Sequence, residues 1–453
     1  MHRLFLNGMF AFLYRHSLRI DILSQLRYHL IQATHMNLSS GNIRKCARQP
    51  LVTREQLEPC VQIDSVTSYI LKHRLWSTYV DPSCTRVLTL PDFPKTISDL
   101  TPALLSSMLS TNSNSPVEVI SFMFERIGEG VGWSGFLYRL YQIQYSTSTR
   151  DNLPERLIIK LSTGIWMGHH ATIEPEFYLT FGSCISNIEI PKCYYMARSP
   201  HSSIESLLLL EDLSLHYKPL PGKRSLTDST LFFLIASVAS FHAEFFQHPL
   251  LQQETYAWLP PLNASLTHYQ TMYVAKMTDP ILTEYLQSNL SPKAYAYARA
   301  LVGHIPHIFQ ALTDEPYTLA HGDFWVNNMF IRRDQAHRLI LFDWQSCSRA
   351  NGLIDVVFLV RLLGSVRARA LESQILQLYH QTLVKYGISQ YSLTAIRKDY
   401  YSLALPFILL IRSCWKVIKE KHLNEIVMVL EDIVTYAKKT ERITCDCDLS
   451  FLQ

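Results

Sequence analysis

The sequence predicts an α+β chain of two lobes, a small antiparallel sheet followed by a large, mainly helical part. Three observations carry this. Between residues 119 and 213 apolar and polar residues alternate in short runs, the period of half-buried strands. Beyond about Leu213 the apolar spacing becomes helical and stays so almost to the end. The one interruption, "LAHGDFWVNNMF" at 319–330 with "RLILFDWQ" at 338–345, mixes polar and apolar residues too finely for either period and reads as a loop that carries chemistry.

The bulk numbers allow such a fold. The chain has 453 residues, 48% hydrophobic and 18% charged, so a sizeable core is available and wholesale disorder is excluded. A net charge of +4 gives no reason to expect nucleic acid as a partner, and no zinc-finger, RNP or basic-region pattern occurs. Nine cysteines are scattered, and the closest pair, Cys445 and Cys447, lacks zinc-ligand spacing. They read as reduced thiols of a cytoplasmic protein. No segment is expected to span a membrane: 231–246 is short and carries His242 and Glu244, and 403–418 is broken by Arg412 and Lys416.

Residues 1–90 form a basic extension. Up to Arg54 the only acid is Asp21, against eight Arg and Lys, a composition that resembles a mitochondrial presequence. An ordinary basic tail, or a start at Met36, fits equally. Residues 91–213 make the first lobe. "ISDLTPALLSSMLS" predicts a helix with polar start signals. "VISFMFERIGEGVGWSGFLYRLYQIQYS" predicts two strands around a glycine turn, "RLIIKLS" a strand, "TIEPEFYLTF" a helix, and "SLLLLEDLS" a strand entering an acidic turn. Residues 214–453 make the helical lobe.

The polar residues of the loop point to one chemistry. Asp323 precedes Asn328 by five positions and Asp343 by twenty, and a hairpin between the two segments would bring all three together. Hard oxygen ligands of this kind suit Mg²⁺ with substrate phosphates, and an aspartate beside them can take a proton from a substrate hydroxyl. Upstream, "GEGVGWSG" places small residues where backbone N–H groups can approach phosphate oxygens. Lys160 ends a strand-like run and Glu174 opens a helix-like one, so a Lys–Glu pair could aim the amine at phosphates. The backbone near Glu211 and Leu213 could bond an adenine edge.

Taken in order, these pieces resemble the protein-kinase-like superfamily of small-molecule kinases. "HGDFWVNN" followed by "FDWQ" looks most like the CHK kinase-like, or ecdysteroid kinase-like, branch, related to choline kinases and aminoglycoside phosphotransferases. The resemblance covers roughly residues 91–440. It implies a protein-kinase-like two-lobed fold, with nucleotide on the first lobe and catalysis and acceptor binding on the second. It implies ATP and Mg²⁺ as cofactors and a hydroxyl-bearing small molecule as substrate. It implies Asp323 as catalytic base, Asn328 and Asp343 as metal ligands, and a Lys160–Glu174 ion pair. Gly128, Gly130, Gly132 and Ser134 would cover the phosphates, and Glu211 and Leu213 would meet the base. Glu174 is preferred to Glu176 because the family places its glutamate four before a tyrosine, here Tyr178. Trp344-Gln345 in place of Phe-Gly, and Gly322 inside the His-Asp pair, speak against phosphorylation of proteins. His321 is expected to tie the loop through its ring, His242 to be a core histidine, and Asp355 to accept loop N–H groups.

The acceptor is expected to be apolar or neutral rather than a polycation. Between 251 and 316, Glu254, Asp279, Glu284, Asp314 and Glu315 stand against Lys276, Lys293 and Arg299. Tyr256, Trp258, Tyr269, Tyr273, Tyr285, Tyr295 and Tyr297 could contact an apolar hydroxylated ligand, or only pack helices together. A choline- or aminoglycoside-type acceptor, and a nucleotide-binding chain without turnover, stay open as alternatives.

Overall fold

The structure is a computed structural model. It describes residues 88–440 except 112, 114–115, 129–135, 147–152, 163–169, 202–204, 221–225, 252–257, 333–337, 363–364 and 414–419. Contacts define one unit of Leu88–Phe177 with Ile185–Gln453, and another of Met1–Val87 with Tyr178–Cys184. Of the second, the described part ends a helix and turns, with the Gly182 N–H donating to the Tyr178 carbonyl at 3.2 Å. The rest of this account concerns the first unit.

Its opening half is a sheet. Leu88–Thr89 (β1), Val119–Ile127 (β2), Phe136–Tyr145 (β3), Leu157–Ser162 (β4), Cys193–Arg198 (β5) and Ser206–Glu211 (β6) lie in the order β1-β5-β6-β4-β3-β2. Five of these strands pair antiparallel, and the two-residue β1 joins β5 in parallel. β2 and β3 form the expected hairpin around the glycine stretch. β5 was not evident in the sequence.

The expected first helix is divided. A 3-10 turn covers Ile97–Asp99, and Pro102–Ser110 (α1) is the helix proper. Pro102 has no N–H to give a preceding turn, and the Thr101 hydroxyl accepts from Leu104 N–H, so the helix starts anew there. Leu105 and Met108 of α1 pack with Leu140, Leu157, Ile159, Leu161, Leu207 and Leu209 into the core behind the sheet. Strand alternation then turns Ile158 and Lys160 of β4 to the opposite face.

His170–Phe181 (α2) lies between β4 and β5. After β6 come Tyr217–Pro219 (β7), Asp228–Phe245 (α3), Leu266–Met277 (α4), Pro280–Asn289 (α5) and Pro292–Thr313 (α6). Short strands Thr318–Ala320 (β8), Met329–Arg332 (β9), Leu339–Leu341 (β10) and Ser348–Ala350 (β11) surround the polar loop. Leu353–Leu362 (α7), Ser365–Lys385 (α8), Leu393–Asp399 (α9), Leu405–Ser413 (α10) and Glu420–Thr440 (α11) complete the described chain, with a π-helical turn at Tyr400–Ala404.

β9 and β10 pair antiparallel, as the hairpin argument requires, and β7 extends them. β11 pairs antiparallel with β8, ahead of α7. Among the described residues no helix is long and apolar enough to cross a membrane.

Candidate active site

Lys160 stands in the middle of β4, opposite Leu137 of β3 and Leu208 of β6. Its ammonium lies 2.6 Å from Glu174 Oε2 and 2.6 Å from Asp343 Oδ1. The amine is buried, which disfavours its charge, but the two carboxylates outweigh that and hold its pKa above the usual lysine range. Burial pushes the Glu174 carboxyl up, and Lys160 opposes that effect.

Glu174 also accepts from the Trp344 backbone N–H, at 3.2 Å through Oε1. One α2 side chain therefore grips both the strand lysine and the segment that presents Asp343. Phe177, one turn further, stacks on Trp344 with ring centres 4.0 Å apart. Glu176 faces away from this group and pairs with Arg198 at 2.5 Å.

Asp343 follows β10, two residues past its end, in the left-handed region, at φ 68° and ψ 62°. Aspartate tolerates that conformation better than most residues. Leu341 and Phe342 before it are fixed by the β9–β10 ladder and by Phe342 N–H donating to the Asn328 carbonyl at 3.2 Å.

Asp323 sits between β8 and β9. The Asn328 amide donates to its carboxylate at 2.8 Å and to its carbonyl at 3.0 Å. Burial first, and the charge of Asp343 second, push the Asp323 carboxyl up to about 7. The Trp325 indole N–H approaches the same carboxylate closely enough to favour its charged form, yet lies outside hydrogen-bond geometry.

The loop is anchored from below. Asp355, in the first turn of α7, accepts from His321 N–H at 2.7 Å and from Gly322 N–H at 2.8 Å. His321 accepts the Asp323 N–H on Nδ1 at 3.2 Å, so its Nε2 carries the proton and donates to the Phe342 carbonyl at 3.0 Å. Its ring thus joins the Asp323 segment to the Asp343 segment, and burial lowers its pKa. His242 is fully buried and lies 3.1 Å from Asp355.

Of the other candidate residues, Gly128 directly follows β2 with φ +71°, a conformation that favours glycine. Gly130, Gly132 and Ser134 lie outside the described residues. Glu211 closes β6, where its N–H donates to the Lys192 carbonyl at 2.9 Å, and Leu213 begins a 3-10 turn capped by Asp212. Arg139 of β3 reaches across to that turn, 2.7 Å from Asp212.

Two contributors were not legible in the sequence. Trp344 is the packing centre of the site: besides Phe177 it meets His321 and Phe241 edge-on, and its indole donates to the Leu341 carbonyl at 3.2 Å. Tyr379 of α8 lies 3.0 Å from His242 Nδ1. The only signals were an aromatic in the "FDWQ" run and one tyrosine among many.

A divalent ion has a fitting donor set. Asn328 keeps its side-chain oxygen available because its NH₂ is committed to Asp323, and Asp343 has a second oxygen besides the one facing Lys160. Among the described residues no group of three or more His, Cys, Asp or Glu forms a dedicated cage. One carboxylate and one amide oxygen, completed by waters and phosphates, is the coordination Mg²⁺ accepts.

The chain has no match among curated protein sequences. Its fold is similar to solved structures of small-molecule kinases. An ethanolamine kinase from Plasmodium vivax aligns at TM-score 0.46 and 11% identity, over 82% of this chain and 96% of that one. A choline kinase from Cryptosporidium parvum Iowa II aligns at TM-score 0.44 and 10% identity, over 74% and 92%. A putative aminoglycoside phosphotransferase from Ralstonia eutropha JMP134 aligns at TM-score 0.43 and 14% identity, over 74% and 97%. Residues 185–389 match the family model described as "Ecdysteroid kinase-like family".

Proposed function

We propose that the chain is an ATP-dependent small-molecule kinase that transfers the γ-phosphoryl group to a hydroxyl of an apolar or neutral acceptor. The observation that supports it best is Lys160 held between Glu174 and Asp343, with Asp323 and Asn328 hydrogen-bonded beside them.

In this reading Lys160 positions the α- and β-phosphates, and Glu174 holds Lys160 so that its amine does not wander. Gly128 lies over the phosphates, and the backbone of Glu211 and Leu213 meets the adenine edge. Asn328 and Asp343 would hold Mg²⁺, which supplies charge neutralisation at the phosphates. Asp323 orients the acceptor hydroxyl and takes its proton. The acceptor oxygen forms a bond to the γ-phosphorus, the bond to the β-bridging oxygen breaks, and ADP leaves. An aspartate held near pH 7 is suited to this, because a base works best with a pKa close to the working pH.

Three of the five acidic side chains of the 251–316 stretch support an acceptor without several ammonium groups. Asp279 caps Leu282 N–H, Asp314 accepts from Gln310, and Glu315 accepts from Gln247. Each is spent on local structure rather than gathered at a site.

The test is a thermal shift with ATP and Mg²⁺, followed by phosphate transfer over a panel of hydroxyl acceptors. The expected result is stabilisation by MgATP that Lys160→Ala removes, and transfer that Asp343→Ala removes. Stabilisation by MgATP with no transfer or hydrolysis under any condition would instead support a nucleotide-binding chain without turnover.

A further inference from the structure

We propose that Tyr379, on α8, is a positioning residue for the loop that carries Asp323, acting through His242 and Asp355. The proposal rests on the kinase reading given above.

The donors and acceptors run in one direction. Asp355 spends one oxygen on each loop amide, Oδ2 on His321 and Oδ1 on Gly322. A carboxylate that accepts two amides has no proton to give. His242 Nε2 lies 3.1 Å from Asp355 Oδ2, so this nitrogen carries the hydrogen and donates. In that tautomer the ring has its lone pair at Nδ1. The Tyr379 hydroxyl, 3.0 Å away, donates to that lone pair. Burial raises the phenol's pKa and keeps it a donor. His242 and Asp355 are 0% exposed and Tyr379 2%, so water offers none of them another partner.

The hydroxyl fixes the ring rather than the helix. α3 is already tied to β8 at this level, because the Thr318 hydroxyl donates to the His242 carbonyl at 2.8 Å. Without Tyr379 the ring can tilt about its side-chain bonds and leave the plane in which Nε2 meets Asp355. The carboxylate, and with it the two amides before Asp323, would follow. Gly352 guards the same junction. A Cβ at that position would stand 2.5 Å from His242 Nδ1 and 2.7 Å from the Tyr379 hydroxyl, too close to both partners. Tyr379 touches no reacting group, so its effect must travel through His242 and Asp355.

A matched pair of variants separates positioning from ordinary stability. Tyr379→Phe and Tyr273→Phe each remove one buried tyrosine hydroxyl. Tyr273 donates to the Ala298 carbonyl at 3.0 Å, in the packing of α4 on α6. The readouts are hydrolysis of MgATP with water as acceptor, and amide hydrogen exchange of the peptide spanning 319–328. Tyr379→Phe is expected to lower kcat about 5–10-fold, since small misplacements of a reacting group are costly, and to leave KM for MgATP within about twofold. It is expected to speed exchange at His321 and Gly322. Tyr273→Phe should change neither. Gly352→Ala should reproduce the Tyr379→Phe pattern. Equal kcat in the two tyrosine variants, or unchanged exchange in the loop of Tyr379→Phe, would overturn the proposal. Should Tyr379→Phe fail to fold, ¹⁵N shifts of the His242 ring in the wild-type chain decide: a proton on Nδ1 instead of Nε2 overturns it. A wild-type chain that neither hydrolyses MgATP nor transfers phosphate refutes the kinase reading alone, and the exchange measurement still decides the role of Tyr379.

Discussion

Asp323 is the residue whose ionisation the fold opposes most usefully. Burial and the nearby Asp343 raise its pKa from 3.8 to about 7, while Asn328 works in the other direction. The folded chain therefore binds this proton more tightly than the unfolded chain does. Its contribution to stability is fullest below about pH 4 and is lost as pH rises through about 7, a change of about 2–4 kcal/mol. Asp323→Asn should accordingly have a higher Tm than the wild type at pH 8, with the gain shrinking toward pH 5. The same variant should keep the MgATP-induced Tm shift and lose about 10²–10⁴ in kcat. A gain that does not vary with pH would show that Asp323 is not held high. The cluster of Lys160, Glu174, Asp323, Asn328 and Asp343 that the structure brings together could be noticed from residue type and spacing along the chain. Trp344 could not. Its importance lies in contacts with Phe177, Phe241 and His321, and no local pattern brings those rings together.

At the scale of elements, the loop between β8 and β9 depends on one glycine and the helical region on one arginine. Gly322 has φ +79°, and a Cβ there would stand 2.2 Å from the Ser346 carbonyl oxygen, a backbone atom that cannot swing aside. Gly322→Ala should cost more than about 2 kcal/mol in a denaturant titration, combining a strained backbone with displacement of the β11 approach. Arg361 of α7 is buried between Glu372 of α8, at 2.6 Å, and Asp432 of α11, at 2.9 Å. Tyr401 adds a hydroxyl to Glu372, and Arg369 a guanidinium to Asp432. Arg361→Met would leave two carboxylates deprived of their shared partner in the core. A loss of about 3–5 kcal/mol is expected, and a loss below about 1 kcal/mol would mean that the pair is not buried in solution. Elements with a strong period were legible, among them β2, β3, β4 and α3. β5 was missed because "CYYMAR" has no clean alternation and is held by its ladder to β6. β11 was missed because three residues carry no period at all, and its strand character comes from β8.

For the whole molecule, the acceptor is the question on which the sequence says least, and the reason is physical. Tyrosines that would suit an apolar ligand also suit helix packing, and the structure uses several for packing. Tyr273 and Tyr297 are buried, and Tyr269 lies against Phe309 and Phe407. The aromatic count of the 251–316 stretch therefore carries no argument for a sterol-like acceptor, and the charge distribution must carry it instead. A polycation needs several carboxylates facing one cavity, because each ammonium brought out of water must be paired. Asp279, Asp314 and Glu315 are each engaged in a local hydrogen bond, as a helix start and two surface pairs require. Glu431 of α11 is likewise spent on the Ser291 N–H and hydroxyl at the start of α6. A neutral hydroxyl makes no such demand, since in the proposed reading it needs only one base, for which Asp323 is proposed, and apolar surroundings. With MgATP held constant, kcat/KM for a steroid alcohol should exceed that for choline and for an aminoglycoside by at least about tenfold, a difference of about 1.4 kcal/mol in transition-state stabilisation. A preference for the aminoglycoside would overturn the charge argument, because the acids engaged in local bonds would then have to rearrange around the ligand. A preference for choline would mean that one quaternary ammonium is held by aromatic faces, which an acid count does not register.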